Sequence, residues 1–61
     1  MVIKSITQDT ERYVVGENDI ASIETTDQGP KRLYMYQITY TGGRLLFVGL
    51  LEKPEIEYME G

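Results

Sequence analysis

The apolar residues of this chain are spaced for strands rather than helices. From Arg32 to Thr41 it runs Arg-Leu-Tyr-Met-Tyr-Gln-Ile-Thr-Tyr-Thr, dense in the aromatic and β-branched residues that suit a pleated, half-buried surface. Alternation places Tyr34, Tyr36, Ile38 and Tyr40 on one face and Leu33, Met35, Gln37, Thr39 and Thr41 on the other. Gly42-Gly43 then separates this segment from Arg44-Leu45-Leu46-Phe47-Val48. Two glycines with φ > 0 fit a two-residue type I′ turn, so the pattern predicts a β-hairpin. The competing reading is a helix from Arg44 to Lys53, because Leu45, Leu46, Val48, Leu50 and Leu51 are all apolar. Gly49 in its middle opposes that helix by ~1 kcal/mol.

Upstream, Asp27-Gln28-Gly29-Pro30 is a turn cluster. Before it, Ile20 to Thr26 reads as a strand with a flaw: Ile20 and Ile23 are three apart and cannot share a face of a regular strand. A bulge near Ala21, or a single helical turn near 18–22 capped by Asp19, repairs the register. Arg12-Tyr13-Val14-Val15 is a short strand closed by Gly16-Glu17-Asn18-Asp19, and Val2–Thr7 is another, with Gln8-Asp9-Thr10-Glu11 as its turn. At the far end Glu55-Ile56-Glu57-Tyr58 alternates charged and apolar, and Pro54 suits an edge or a strand start. Five to six short strands about ten residues apart predict an all-β or mostly β single domain over 1–61, a small barrel-like sheet of SH3- or OB-like size.

Composition narrows the chemistry more than the fold. The 61 residues are 41% hydrophobic with a net charge of −4, too apolar for intrinsic disorder. A folded surface of ~4,000 Å² follows from a chain of this mass, the range in which a domain folds alone but marginally. Cysteine and histidine are absent, which removes disulfides, thiol nucleophiles, the usual zinc ligands and the usual general base. No signal-peptide pattern or ~20-residue apolar span is present, so a cytoplasmic protein without membrane association is expected. Charge is unevenly placed. Residues 1–30 sum to −4 and residues 45–61 to −3, whereas Lys31, Arg32 and Arg44 make residues 31–44 +3 with no acid among them.

That basic segment also holds three of the five tyrosines. Tyrosine faces beside arginine and lysine suit the stacking of single-stranded nucleic acid, although the net acidity opposes a polyanion partner. Core demand competes for the same residues, since the face bearing Tyr34, Tyr36, Ile38 and Tyr40 is the most apolar one available. Opposite charge on hairpin and tail also suits homo-oligomers, with Pro54–Glu60 as a candidate edge. The acidic residues allow mimicry of phosphate toward a basic protein.

Catalytic signals are weak. Thr41-Gly42-Gly43-Arg44 lacks the following helix that a phosphate loop needs. Glu17-Asn18-Asp19 lacks the spaced acids and closing glutamate of a calcium loop. Convergence of Glu24, Glu55 and Glu57 is the one acid–base arrangement the sequence leaves open, and it needs a desolvated cleft that so short a chain has little volume to build.

The run Asn18-Asp19-Ile20-Ala21-Ser22-Ile23-Glu24, followed by strand, glycine turn and strand, is similar to the core of LytTR-type DNA-binding domains and of small flagellar proteins of the FlbD kind. The shared part is Ile-x-x-Ile-Glu plus a hairpin, and no fold, site or activity is carried over from it. The sequence therefore predicts a non-enzymatic protein-binding module with no metal or cofactor, a regulator or inhibitor of a larger macromolecule; by analogy, phage and mobile-element accessory proteins have this profile. Its contact residues are expected among Lys31, Arg32, Tyr34, Tyr36, Tyr40 and Arg44, where aromatics and arginine supply interface energy most efficiently. The alternative is single-stranded nucleic-acid binding by the hairpin 31–44.

Overall fold

A computed structural model describes residues 2–60. It contains six strands: β1 (Ile3–Gln8), β2 (Glu11–Val14), β3 (Ile20–Thr25), β4 (Tyr34–Tyr40), β5 (Leu45–Leu50) and β6 (Glu55–Tyr58). They form two antiparallel three-stranded sheets, ordered β2-β1-β6 and β3-β4-β5. The all-β class is as the alternation predicts. Barrel closure is not: the two sheets remain separate ladders, with β1 packed across β3. The surface of 4642 Å² exceeds the ~4,000 Å² expected from mass, in keeping with a structure that leaves apolar side chains outside.

Two bulges decide which side chains become core. Ile20 and Ile23 both reach the interior because the β3–β4 register shifts between Ile20 and Ser22, the bulge being the one of the two expected remedies that forms. Ile3 and Ile6 have the same spacing and the same remedy, a shift between Ile3 and Ser5 in the β1–β6 pairing. The core unites these four isoleucines with Tyr36, Ile38 and Leu50, flanked by Tyr13, Val15, Tyr40, Val48 and Ile56.

Turn chemistry corrects two expectations. No helical turn forms near 18–22. Instead Asn18 and Asp19 take φ values of 51° and 64°, and Ile20 N–H donates to Glu17 O at 2.9 Å, so Asp19 is a left-handed turn residue rather than a helix cap. The β4–β5 turn is also not a two-residue type I′ turn. Gly43 N–H donates to Tyr40 O and Tyr40 N–H to Arg44 O, both at 2.8 Å, and only Gly43 has positive φ, 86°. Thr41-Gly42-Gly43 is therefore a three-residue loop, a turn followed by one left-handed glycine. The alternative helix over 44–53 is absent, since Leu45–Leu50 is strand throughout.

Candidate functional site

The surface most in need of explanation is the β4–β5 hairpin. Opposite residues of an antiparallel pair share a face, so the register assigns every side chain. Tyr36↔Val48 and Ile38↔Leu46 turn toward the other sheet, whereas Met35↔Gly49, Gln37↔Phe47 and Thr39↔Leu45 turn away. The hairpin is apolar on both faces, yet a two-layer protein covers only one, and that one incompletely, since Leu46 and Tyr34 near its ends are also exposed. Phe47 and Leu45 consequently stand 47% and 49% exposed on the outer face.

A local cluster supports that outer face. Gly49 has no side chain, and the space a Cβ would take lies 2.9 Å from Met35 Sδ and 3.0 Å from Leu33 Cδ1. The β3–β4 loop folds back onto the same methionine: Thr26 N–H donates to Met35 O at 3.2 Å, and Met35 Cε lies 3.0 Å from where a Gly29 Cβ would be. Met35 is thus wedged between two glycines and gives the patch a half-buried floor. Toward β3 the face turns polar, through Gln37 and Thr39 to Glu24 and Ser22.

The residues expected to make contact are not gathered into one site. Tyr36 is 3% exposed and belongs to the core; burial, with the phenols of Tyr58 and Tyr34 nearby, raises its pKa. Tyr34, at the start of β4, is 46% exposed. Tyr40 is half-buried, with the Arg44 guanidinium 4.6 Å from its ring centroid, a cation–π contact internal to the hairpin. Lys31 and Arg32 are exposed in the β3–β4 loop, at the opposite end of β4 from Arg44. A seven-residue strand spans roughly 20 Å, so the three cations form no continuous basic patch.

The acidic residues are separated too. Glu24 alternates with buried Ile23 on the outer face of one sheet, while Glu55 and Glu57 flank inward-packed Ile56 on the outer face of the other. The carboxylates are back to back across the core rather than convergent. Glu57 instead lies 3.8 Å from Lys4, an exposed pair of little energetic weight. Beside them Ser5, Thr7, Arg12, Glu55 and Glu57 line a polar depression of about 470 Å³ that is open to solvent. Among the described residues there is no group of three metal-ligating side chains, and no helix long and apolar enough to cross a membrane.

Leu45 and Phe47 are the residues that sequence reasoning missed as surface. Their signal was the unbroken apolar run itself, because apolar side chains at both parities of one strand cannot all fit a two-layer core. No protein-family model, curated protein or solved structure matches the chain, so the likeness of 18–24 and the hairpin to LytTR-type domains rests on those residues alone.

Proposed function

We propose that this chain is a small non-enzymatic protein-binding module, acting in the cytoplasm to regulate or inhibit a larger macromolecule. Its contact surface is the outer face of the β4–β5 hairpin. The observation that carries this reading is Leu45 and Phe47 exposed side by side with the Met35–Leu33 cluster, on a face turned away from the other sheet. Single exposed apolar residues are ordinary, but neighbours on paired strands with a polar rim mark an interaction surface. Tyr34 and Arg44 stand at the two ends of the hairpin as anchors of the types favoured at interfaces. In size the module is comparable to SH3- and OB-type barrels, and surface is what it has to work with.

Binding of single-stranded nucleic acid is the weaker alternative. A stacking track needs exposed aromatic faces interleaved with cations. Here Tyr36 is in the core, Tyr40 already holds Arg44, and the remaining cations are a strand length away.

The test pairs affinity capture from a lysate of the source cells with a surface variant, Leu45→Ser/Phe47→Ser, which leaves the interior intact. A partner held by the wild type and by Arg12→Ala, but lost with the double serine variant at unchanged Tm, is the expected result. Equal recovery by all three proteins overturns the surface assignment. Salt-sensitive binding of a mixed-sequence single-stranded oligonucleotide through Arg32 and Arg44 transfers the function to the alternative.

A further inference from the structure

The edge of β5 carries an inference that goes beyond the outer face just described. The two sheets present four edge strands, β2, β6, β3 and β5. Glu11 and Arg12 lie in β2, Glu55 and Glu57 in β6, and Glu24 with a bulge in β3, all devices that discourage further strand pairing. Only β5, Leu-Leu-Phe-Val-Gly-Leu, has neither a charge nor a bulge. Its backbone is ready to pair. Tyr40 N–H donates to Arg44 O, and along an antiparallel ladder this parity turns the amides and carbonyls of Leu46, Val48 and Leu50 toward β4. Those of Leu45, Phe47 and Gly49 point outward along the free edge.

We propose that β5 pairs antiparallel with β5 of a second copy of this chain, about a two-fold axis at Val48. The chain's own sequence favours this occupant and this register. Centred on Val48, Phe47 lies opposite Gly49 of the second copy, where Met35 and Leu33 of that copy already fill the space a side chain would take and offer the ring an apolar surface. Leu46 meets Leu50 and Leu45 meets Leu51, which stands 79% exposed in the monomer. β5 ends at Leu50 and Leu51–Glu52 is a bend, so the pairing extends the strand by these two residues and brings Arg44 alongside Glu52 of the other copy at both ends, giving two opposite-charge pairs that follow from the symmetry. A shift by one pairing step either way sets Arg44 against Leu50 or Pro54 and loses both charge pairs. The hydrogen-bonded pairs in this register are Phe47 with Gly49 and Leu45 with Leu51, and within β5 these are the residues whose backbone groups are free. The product is a continuous six-stranded sheet, β3-β4-β5 followed by β5-β4-β3 of the second copy. Its outer face joins the two Leu45–Phe47 patches into one.

Sedimentation equilibrium and amide hydrogen exchange across concentrations from about 1 μM to 1 mM test the proposal together, a range chosen because a single strand pair is a small interface. A monomer–dimer equilibrium is expected, with the amides of Leu45, Phe47 and Gly49 gaining protection as concentration rises and those of Leu46 and Val48 unchanged. Arg44→Glu and Glu52→Arg each place like charges at both ends and weaken the dimer by roughly tenfold, while the double variant restores it. Glu52→Arg leaves Leu45, Phe47, Tyr34 and Arg44 intact, so its loss of the dimer and the loss of partner capture by the double serine variant are read separately. A monomer at 1 mM overturns the proposal, as does a dimer that protects the β3 or β6 amides instead. A dimer insensitive to either charge reversal overturns the register.

Discussion

The loop of the β4–β5 hairpin makes two adjacent glycines energetically opposite. Gly43 takes φ +86°, where an L-residue crowds its Cβ against backbone, and nothing else lies within 4 Å of the position. Gly43→Ala therefore isolates the left-handed penalty, about 1–2 kcal/mol. Gly42 is equally open but has no positive φ, so alanine there loses nothing in the folded state. It gains about 0.4–1 kcal/mol by restricting the unfolded chain. The unfolded-chain gain is common to both substitutions, so the two variants should differ by the left-handed penalty alone, roughly 1–2 kcal/mol, and at ~4–8 °C per kcal/mol for a domain of this size their melting temperatures should separate by at least about 4 °C. Thermal unfolding followed by circular dichroism, with wild type between the two variants, reads this directly. Equal losses at both positions would mean that both glycines take φ > 0, and the three-residue loop would be wrong.

Two further outcomes follow from the interior. Ile38 is fully buried at the centre of β4, so Ile38→Val should cost about 0.5–1.5 kcal/mol and Ile38→Ala about 2–5 kcal/mol. Since a domain of this length holds only roughly 3–9 kcal/mol in total, urea unfolding should find Ile38→Ala close to its folding limit. Burial raises the pKa of Tyr36 and, with Glu11 and Tyr40 beside it, that of Tyr13. Both phenols favour the neutral form in the fold, so their contribution is present below pH 10 and is lost as pH rises through the folded-state values. Melts above pH 10 should show falling stability, with tyrosinate absorbance lagging at two of the five tyrosines; full titration near pH 10 without unfolding would refute the packing at these rings.

The fold class was legible because two of its causes are local. Strict alternation in 32–41 and the β-branched clusters set the strands, and the Ile20–Ile23 spacing called for a bulge or a helical turn, of which the bulge is the one that forms. The same spacing stands at Ile3 and Ile6 within the expected strand Val2–Thr7 and carries the same bulge, which the sequence reading did not draw from it. Closure of the sheet was not legible, because it depends on which strands pair across the chain, and alternation is indifferent to partners. The turn type was misjudged for a physical reason as well: Gly-Gly tolerates φ > 0 at both positions but does not require it, and the Tyr40–Arg44 pairing settles the matter. The proposed contact residues scattered because grouping by sequence ignores strand length. Residues 31–32 and 44 are neighbours in composition and a full strand apart in space.

Net charge and local charge give different accounts of how this protein meets others. An acidic chain with glutamates along β6 and a mixed pair in β2 guards those edges against pairing, and it leaves β5 unguarded. Leu45 and Phe47 contribute little to the monomer's own core, since they stand on the face directed away from it. Their apolar character does its work only in contact with another surface. Edge and face are distinct features of β5: its outward amides and carbonyls lie along the edge, and the side chains of Leu45 and Phe47 stand on the face. Replacing Leu45 and Phe47 by serine acts on the face, reversing Glu52 acts on the edge, and neither change reaches the isoleucine core that holds the two sheets together.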